Sequence, residues 1–410
     1  MGGKNILICI TSSYPYGLKE TYFHNELLFL SKSYDEVHII PIYNPTGSKN
    51  IRKIPDNCFV QDVIVSQGIM RVFEGLINIS PFGNYLIEYF QNSLFLSFLK
   101  TKRWINSLLV FRKSHQSIKS FLKSLNKANN ITIYSYWAEI PVFTTKILQK
   151  YPKVVRMHGG DFYLERNDGY LPLRHEIYNK SELLLPISDN IKSILNDYYL
   201  IENDKLFLSR IGVKNTSLYS SINSSNNIFR FASCSNLIPL KRVDLIFEFL
   251  IEFSLKNPNY TVFWTHFGDG ESMSALQVKI YNERVANLNC TLYGQITQND
   301  LFNYYQNNYF DWFVNFSEYE GIPVSVMEAN SFGIPAIATN VGGTSELVNE
   351  KNGLLIDRRI NNELIIEKIK SLSKRDYINK RIEAYKTWES KYNSDKNYKE
   401  LLIQFEKLSK

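Results

Sequence analysis

Cysteine is scarce in this chain and carries no recognisable pattern. Four cysteines are scattered among the 410 residues, at Cys9, Cys58, Cys234 and Cys290. Their spacing matches no zinc or redox motif, and three of them fall in apolar, strand-like runs, which indicates buried thiols in a reducing compartment. The opening MGGKNILICI predicts a first strand instead of a signal peptide, and no apolar stretch approaches membrane-spanning length. We therefore expect a cytoplasmic protein.

Two common nucleotide-binding signatures are also missing. The first predicted strand is followed by Thr-Ser-Ser-Tyr-Pro-Tyr-Gly, and no G-x-G-x-x-G stands there. An NAD-dependent enzyme is disfavoured for that reason. Gly268-Asp269-Gly270 follows a predicted strand but lacks the third glycine, and the chain has no P-loop. Neither a dinucleotide cofactor nor a P-loop mechanism is predicted.

Acidic residues are absent between Tyr89 and Ala138, although the net charge of the whole chain is only +7. Aromatic and aliphatic residues alternate there with basic ones, within a helical segment predicted at about 68–127. The basic residues are Lys100, Lys102, Arg103, Arg112, Lys113, Lys119, Lys123 and Lys127. Two interpretations stay open: helices that lie on an anionic membrane, or packed helices with a solvated basic face. No recognition motif supports nucleic-acid binding.

Alternating strands and helices in both halves predict an α/β protein with two parallel-sheet domains and a cleft between them. We place the first domain at 1–215 and a linker at 216–227. The linker region, NTSLYSSINSSNN, is rich in Ser and Asn and shows no hydrophobic periodicity. The second domain spans 228–385. We expect helices at 386–410, and packing of these helices back on the first domain is one possibility.

The stretch Asp311–Ile356 holds the densest set of signals. A buried strand, a polar turn ending at Gly321, a helix, a second strand and a Gly342-Gly343 turn follow one another. Pro323 is predicted at the first helical position, where its fixed φ suits a helix start. The helix is predicted to stop at Gly333. Functional loops of such a parallel unit lie at the carboxyl ends of its strands.

The turn and helix after that strand predict an anion site flanked by two carboxylates. Exposed N–H groups near the helix start, together with the helix dipole, attract an anion. The residues of this site are Gly321, Ile322, Pro323, Val324 and Ser325. Glu320 and Glu328 flank it, and carboxylates bind hydroxyls. A diphosphate with hydroxyls at both ends fits, which indicates a nucleotide sugar as co-substrate.

The run Glu320-Gly321-Ile322-Pro323-Val324-Ser325-Val326-Met327-Glu328 resembles the E-x7-E motif of the family-4 (group 1) retaining glycosyltransferases. Gly333-Ile334-Pro335, Gly342-Gly343 and Glu346 extend the likeness. Weaker likenesses at Arg156–Gly159 and Pro239–Val243 spread it over most of the chain. The resemblance implies the GT-B architecture, with two Rossmann-like domains, the donor nucleotide mostly on the second and the acceptor mostly on the first.

The resemblance also implies roles in the second domain. Glu320 would approach the donor sugar, Glu328 would hold the ribose, and N–H groups near Val324 and Ser325 would meet the diphosphate. Lys241 matches the family lysine that stabilises the departing diphosphate. The family often has an arginine where this chain has Asn236, so the second positive charge would come from Arg242 or Arg210.

In the first domain, Gly17 with Glu20 three residues on is similar to the glycine loop that faces the phosphates, with one family glycine missing. His158 matches the family histidine near the reacting centre. Trp137 and Tyr136 at a strand end are interpreted as core residues, with lining of the acceptor cleft as the alternative.

Together these features predict a retaining, metal-independent glycosyltransferase that needs no cofactor besides its nucleotide-sugar co-substrate. The acceptor is a saccharide, predicted to be lipid-linked, in the synthesis of capsule, exopolysaccharide or lipopolysaccharide. Such an enzyme would work in the cytoplasm, with peripheral binding to the inner face of the plasma membrane as an added possibility. A transferase with a small soluble acceptor is the first alternative. A catalytically silent subunit that binds a nucleotide sugar is the second.

Overall fold

The computed structural model describes residues 3–17, 20–66, 68, 70–77, 83–125, 129–138, 148–215 and 227–408. The chain divides into two compact units. The first comprises Met1–Arg210 with Tyr398–Lys410, and the second comprises Ile211–Asn397. The second unit thus begins before the predicted boundary at 215. The predicted linker at 216–227 lies outside the described residues except for Asn227.

The first unit is built on a parallel sheet of six strands in the order β3-β2-β1-β4-β5-β6. The strands are β1 (Asn5–Thr11), β2 (Glu36–Pro41), β3 (Cys58–Val60), β4 (Asn130–Ser135), β5 (Lys153–Met157) and β6 (Leu183–Pro186). Its helices are α1 (Thr21–Leu30), α2 (Met70–Ile77), α3 (Gly83–Gln91), α4 (Phe98–Ser124), α5 (Arg174–Asn179) and α6 (Asp189–Asp197). The central strands are buried along almost their whole length, as apolar runs covered on both faces must be.

The second unit has a parallel sheet in the order β12-β11-β10-β7-β8-β9. The strands are β7 (Ile228–Cys234), β8 (Thr261–Phe267), β9 (Leu288–Gly294), β10 (Trp312–Asn315), β11 (Ala336–Thr339) and β12 (Gly353–Ile356). The helices are α7 (Val243–Leu255), α8 (Met273–Asn282), α9 (Gln298–Asn307), α10 (Val324–Ser331), α11 (Thr344–Leu347), α12 (Asn362–Ser371) and α13 (Lys374–Thr387). The last helix, α14 (Ser394–Leu408), starts in the second unit and belongs to the first from Tyr398 onward.

Both sheets reverse their strand order at one position. In the first unit the chain builds outward from β1 through β2 to β3 and then resumes on the other side with β4. The second unit does the same with β7 to β9 and then β10. Ligands of such sheets bind beyond the carboxyl ends of the strands at this switch point. The prediction of two Rossmann-like parallel sheets is confirmed.

Each unit has its own apolar core. Tyr398, Leu401 and Phe405 of α14 pack with Leu7 and Cys9 of β1, among others, in the core of the first unit. The core of the second unit joins α7 to its sheet through residues such as Phe249 and Trp264. The end of the chain is therefore part of the first unit.

The basic, aromatic segment forms α2, α3 and α4. The second half of α4 is packed, with Leu109, Phe111, Ile118 and Leu122 buried. Three of its basic residues are engaged: Arg103 with Asp168, Lys113 with Glu74, and Arg112 with the carbonyl of Gly75. Within the described residues, no helix is both long and apolar enough to cross a membrane.

Candidate functional site

The turn between β10 and α10 is fixed by the glycine turn that follows β11. Gly343 donates its N–H to the carbonyl of Gly321 at 3.0 Å. Gly342 has φ +52°, and a Cβ there would lie 1.7 Å from the carbonyl oxygen of Glu320. Only glycine fits this position, because both the backbone conformation and the close approach exclude a side chain. The two turns thus set the position of Glu320.

Helix α10 begins one residue later than predicted. Pro323 has ψ 101°, an extended value, and is the residue that precedes the helix, so Val324 is the first helical residue. The proline carbonyl accepts from the N–H groups of Val326 at 3.2 Å and Met327 at 3.3 Å. The N–H groups of Val324 and Ser325 belong to the first turn, which has no intrahelical acceptors. The predicted anion site is therefore moved by one residue, and its N–H donors stay at the helix start. As predicted, the helix ends before Gly333, whose φ is +67°.

Lys241 and Glu320 form an ion pair at the switch point of the second sheet. Lys241 ends a short 3-10 turn, Pro239–Lys241, after β7, and Glu320 lies in the turn after β10. Lys241 Nζ is 2.5 Å from Glu320 Oε1, and the two side chains are 22% and 10% exposed. Asn315 Nδ2 donates to the same carboxylate oxygen at 3.5 Å. The pair is reachable from solvent, so a ligand can contact both charges.

Arg242 is committed to the backbone in this structure. Its Nε donates to the carbonyl of Phe316 at 2.6 Å, Nη1 to that of Arg358 at 3.0 Å and Nη2 to that of Ser317 at 3.2 Å. These bonds hold the loop after β10 in place. The phosphate contact predicted for Arg242 stays a prediction. Arg210, the other candidate, belongs to the first unit and pairs with Asp189.

Glu328 lies on α10 with only 7% of its surface exposed. Gln298, the first residue of α9, donates from Nε2 to Glu328 Oε1 at 2.6 Å. The burial and this bond fix the carboxylate orientation, which a hydroxyl-binding residue requires. Gln298 was not predicted from the sequence, because its contact with Glu328 depends on how two helices meet.

His158 is buried and neutral. Its Nε2 lies 3.1 Å from the carbonyl of Tyr136, so this nitrogen carries the proton, and its backbone N–H donates to Asp161 Oδ1 at 2.7 Å. Burial lowers the pKa of His158 to about 3, and the nearby positive charge of Arg156 acts in the same direction. The imidazole therefore stays uncharged at physiological pH. Any catalytic part of His158 is that of a neutral ring.

In the loop after β1, three consecutive backbone N–H groups donate to the carboxylate of Glu20. The Glu20 carboxylate accepts from the N–H groups of Ser12 at 3.0 Å, Ser13 at 2.7 Å and Tyr14 at 2.6 Å. Gly17 has φ +67° and its carbonyl accepts from Arg52 Nε at 2.8 Å. The N–H groups of this loop thus bind an acidic side chain of the chain itself, and the phosphate contact predicted for Gly17 stays a prediction.

Trp137 joins Glu20 to His158. Its Nε1 donates to Glu20 Oε1 at 2.6 Å, and its ring centroid is 4.4 Å from that of His158. Trp137 is partly exposed, and it lines a pocket. Trp137 packs against the apolar core of the first unit, and Tyr136 belongs to that core, which agrees with the core role favoured for both. Because Trp137 lies beyond the end of β4, it lines the pocket as well.

The predicted site residues therefore form two groups, one in each unit. Lys241, Arg242, Glu320, Gly321–Ser325 and Glu328 surround the ends of β7 and β10, while Gly17 and His158 belong to the first unit. Among the residues that the structure describes, no group of three or more His, Cys, Asp or Glu side chains could hold a metal ion.

The comparisons with known proteins concern the group of site residues in the second unit. The sequence model of the glycosyl transferases group 1 matches residues 221–388, a stretch that holds β7 to β12 and the pair Lys241–Glu320. The matched residues all lie in the second unit, and this part of the chain is therefore similar to the group 1 glycosyl transferases.

Two relatives from Escherichia coli share part of the sequence. The O-antigen biosynthesis glycosyltransferase WbnH is 28% identical over 194 residues, which are 44% of this chain and 53% of WbnH. The chain thus spans about half the length of that relative. The UDP-Gal:alpha-D-GlcNAc-diphosphoundecaprenol alpha-1,3-galactosyltransferase is 36% identical over 91 residues, 22% of each chain.

A solved structure matches over nearly the full length. Sucrose-phosphate synthase from Thermosynechococcus elongatus superposes with a TM-score of 0.69 at 13% identity, over 98% of this chain and 99% of that one. At this identity the likeness establishes the fold, which is GT-B.

Proposed function

We propose that this protein is a retaining glycosyltransferase that moves a sugar from a nucleotide-diphosphate sugar to a saccharide acceptor. The observation that carries the proposal is the Lys241–Glu320 pair beside the first turn of α10. One cation, one carboxylate and a helix N-terminus converge at the switch point, where a sugar diphosphate would meet all three. The group 1 domain match over 221–388 supports this assignment.

The chemistry follows from these charges. When the bond between the anomeric carbon and the phosphate oxygen breaks, negative charge grows on the leaving diphosphate. Lys241 and the N–H groups of Val324 and Ser325 would stabilise that charge without the help of a metal ion. Glu320 would accept a hydrogen bond from a sugar hydroxyl and orient the ring. In a front-face displacement, the leaving phosphate takes the proton of the acceptor hydroxyl as the new bond forms.

Glu328 would bind the ribose hydroxyls of the nucleotide. Its carboxylate is held by Gln298 at 2.6 Å, so little rotamer freedom is lost when the donor binds. The nucleotide of the related galactosyltransferase is a uridine diphosphate, as its name states, and we expect the same class of donor here.

The acceptor is proposed to be lipid-linked and to serve surface polysaccharide synthesis. The names of both relatives support this, one through O-antigen and the other through diphosphoundecaprenol. The surface of the first unit adds physical support. Half of the 26 exposed large hydrophobic side chains of the described residues lie between 70 and 105: Met70, Val72, Phe73, Leu76, Ile77, Leu86, Ile87, Phe90, Phe95, Leu96, Phe98, Leu99 and Ile105.

Exposed apolar side chains next to basic ones are typical of proteins that bind an anionic membrane surface. We therefore propose peripheral binding at the inner face of the plasma membrane. Flotation of the full chain with anionic vesicles tests it. Binding should fall when Lys100 and Lys102 are replaced by Gln, and binding that does not respond to these changes or to salt would contradict the proposal.

The test of the activity is release of nucleoside diphosphate from a panel of nucleotide sugars, with and without EDTA. We expect turnover of one donor class, unchanged by EDTA, and an α-configured product from an α-configured donor by NMR. If no donor in the panel is turned over and none raises the melting temperature, the transferase function is contradicted, whichever acceptor is assumed. Donor binding without turnover would support the catalytically silent subunit instead.

A further inference from the structure

A pocket lined by three arginines lies in the first unit, beyond the carboxyl ends of its strands. Ser12 follows β1, Tyr43 follows β2 and Trp137 follows β4, and all three line it. Its volume is about 180 Å³, which is many times the space that one water molecule needs. The pocket is at the switch point of the sheet, where ligands of this fold class bind.

The arginines come from three different elements. Arg71 is on α2, Arg103 on α4, and Arg174 is the first residue of α5. Among the described residues that line the pocket, none has an acidic side chain. Three segments far apart in sequence thus direct guanidinium groups to one place, and the sequence by itself offered no sign of this.

Among the three arginines, Arg174 gives the strongest indication of a bound anion. It is only 4% exposed, and its Nε and Nη1 atoms have no hydrogen-bond partner among the described residues. A buried guanidinium with unused donors costs free energy unless another group accepts from it. Burial raises the pKa of Glu88 and the positive charge of Arg174 acts to lower it, but the two oxygens of Glu88 already accept from Tyr170 and the N–H of Leu173.

The other two arginines are partly engaged. Arg103 donates to Asn167 at 2.8 Å and to Asp168 at 3.3 Å, and Arg71 donates to Asn106 at 3.3 Å. Each still has a buried Nε without a partner among the described residues. Guanidinium groups recognise phosphate through paired N–H donors, and several of them together favour an anion that has many acceptor oxygens.

We propose that this pocket binds a phosphate or diphosphate group on the acceptor. The proposal rests on the transferase function proposed above and specifies the acceptor. It fits the lipid-linked saccharide proposed there and also a small soluble acceptor such as a sugar phosphate, because each of them carries phosphate next to the sugar. The lipid source has added support, since α2 and α4 carry Arg71 and Arg103 and also the exposed Phe73 and Phe98.

The first experiment measures binding of inorganic pyrophosphate to the full chain by calorimetry. It uses the Lys241→Ala background, so that the proposed donor site contributes little. Arg103→Gln and Arg174→Gln should each weaken binding at least tenfold, the loss expected for a hydrogen bond to a charged group. Arg166→Gln, an exposed arginine of the same unit that does not line the pocket, is the matched control. Equal binding in all four proteins would overturn the proposal.

The second experiment measures activity in the wild-type background. Arg103→Gln should leave hydrolysis of the donor by water unchanged and lower transfer to a saccharide phosphate at least tenfold, with no loss for the same saccharide without phosphate. An equal loss for both acceptors would overturn the proposal. If the wild type neither hydrolyses nor transfers the sugar of any donor, the proposed transferase function is contradicted. The phosphate pocket is then tested separately by the pyrophosphate binding experiment. Folding of each variant is checked by thermal unfolding.

The acceptor is offered both as a soluble 1-phosphate and as a polyprenyl diphosphate in vesicles. Arginine dependence in either arm supports the phosphate pocket. A further loss in Phe98→Ser that is confined to the vesicle arm identifies a lipid as the source of the phosphate.

Discussion

Replacing Lys241 by Ala is the sharpest test of the proposed chemistry. The ammonium lies 2.5 Å from Glu320 Oε1, in a pair whose side chains are 22% and 10% exposed. Its loss removes the side-chain cation that we propose stabilises the leaving diphosphate. It also leaves the Glu320 carboxylate uncompensated where an anionic donor must bind.

The expected magnitude comes from two effects of different size. Loss of one positioned donor to developing charge slows the chemical step by about 10²–10³ fold, or about 2.7–4 kcal/mol. The stability effect is small, about 1 kcal/mol or less, because a partly exposed ion pair contributes little. The variant should therefore fold normally and fail to catalyse.

The assay is single-turnover sugar transfer, with thermal unfolding measured in parallel. Lys256→Ala is a matched control, since Lys256 also pairs with glutamates in the second unit, at 3.1 Å, but far more exposed. In the double variant with Glu320→Gln, the losses should be less than additive, because either single change breaks the same pair. Transfer within about threefold of wild type in Lys241→Ala, with the fold intact, would refute the reasoning.

Three more predictions concern other residues of the two units. Gly342→Ala should lower the melting temperature and transfer together, because its Cβ would meet the Glu320 carbonyl at 1.7 Å; the unfolding cost should exceed about 1 kcal/mol. Gln298→Leu should raise the donor KM about tenfold with kcat little changed, since it removes the bond that orients Glu328. His158, with its native pKa of about 3, should lower stability as pH falls. Below about pH 6.5 the imidazole is protonated in the unfolded chain but stays neutral in the native protein. The free energy of unfolding therefore falls as the pH is lowered from about 6.5 to about 3, and this effect is absent above pH 7.

Each of these has its own control. Gly47→Ala shares a positive φ of +64° but has open space around it, so a loss of activity equal to that of Gly342→Ala would contradict the steric argument. A Gln298→Leu variant with wild-type donor KM would remove Gln298 from the site. For His158, denaturant unfolding of wild type and His158→Gln from pH 4 to 8 should show a smaller acid slope in the variant. Identical slopes would contradict the assignment of a depressed pKa.

The proposed donor site was largely predictable because its elements are local. Strand, turn, proline and helix between Asp311 and Gly333 are consecutive in sequence, and hydrophobic runs with glycine and proline signals predict them well. The helix start was misplaced by one residue, since Pro323 keeps an extended ψ of 101°. The contact of Lys241 with Glu320 depends on the neighbouring positions of β7 and β10, which the sequence suggested only through the family resemblance.

The arginine pocket and the role of Glu20 could not be predicted in this way. Arg71, Arg103 and Arg174 are separated by tens of residues and belong to no motif. Glu20 was noted only as part of a glycine loop, and its three backbone N–H donors become visible once the loop after β1 is folded. Arg242, or Arg210 in its place, was predicted to supply a second charge to the phosphates. In the structure the guanidinium of Arg242 binds three carbonyls, and its phosphate contact stays a prediction.

The sequence by itself determined the α/β class, the two parallel-sheet units and the turn that carries Glu320, because periodicity and turn chemistry act over a few residues. Tertiary structure decided which distant side chains meet. It paired Lys241 with Glu320, gave Glu328 its partner Gln298, made His158 neutral by burial, and gathered three arginines at the edge of the first sheet. These outcomes depend on strand order and on the electrostatic cost of burial, and neither is a property of any short segment.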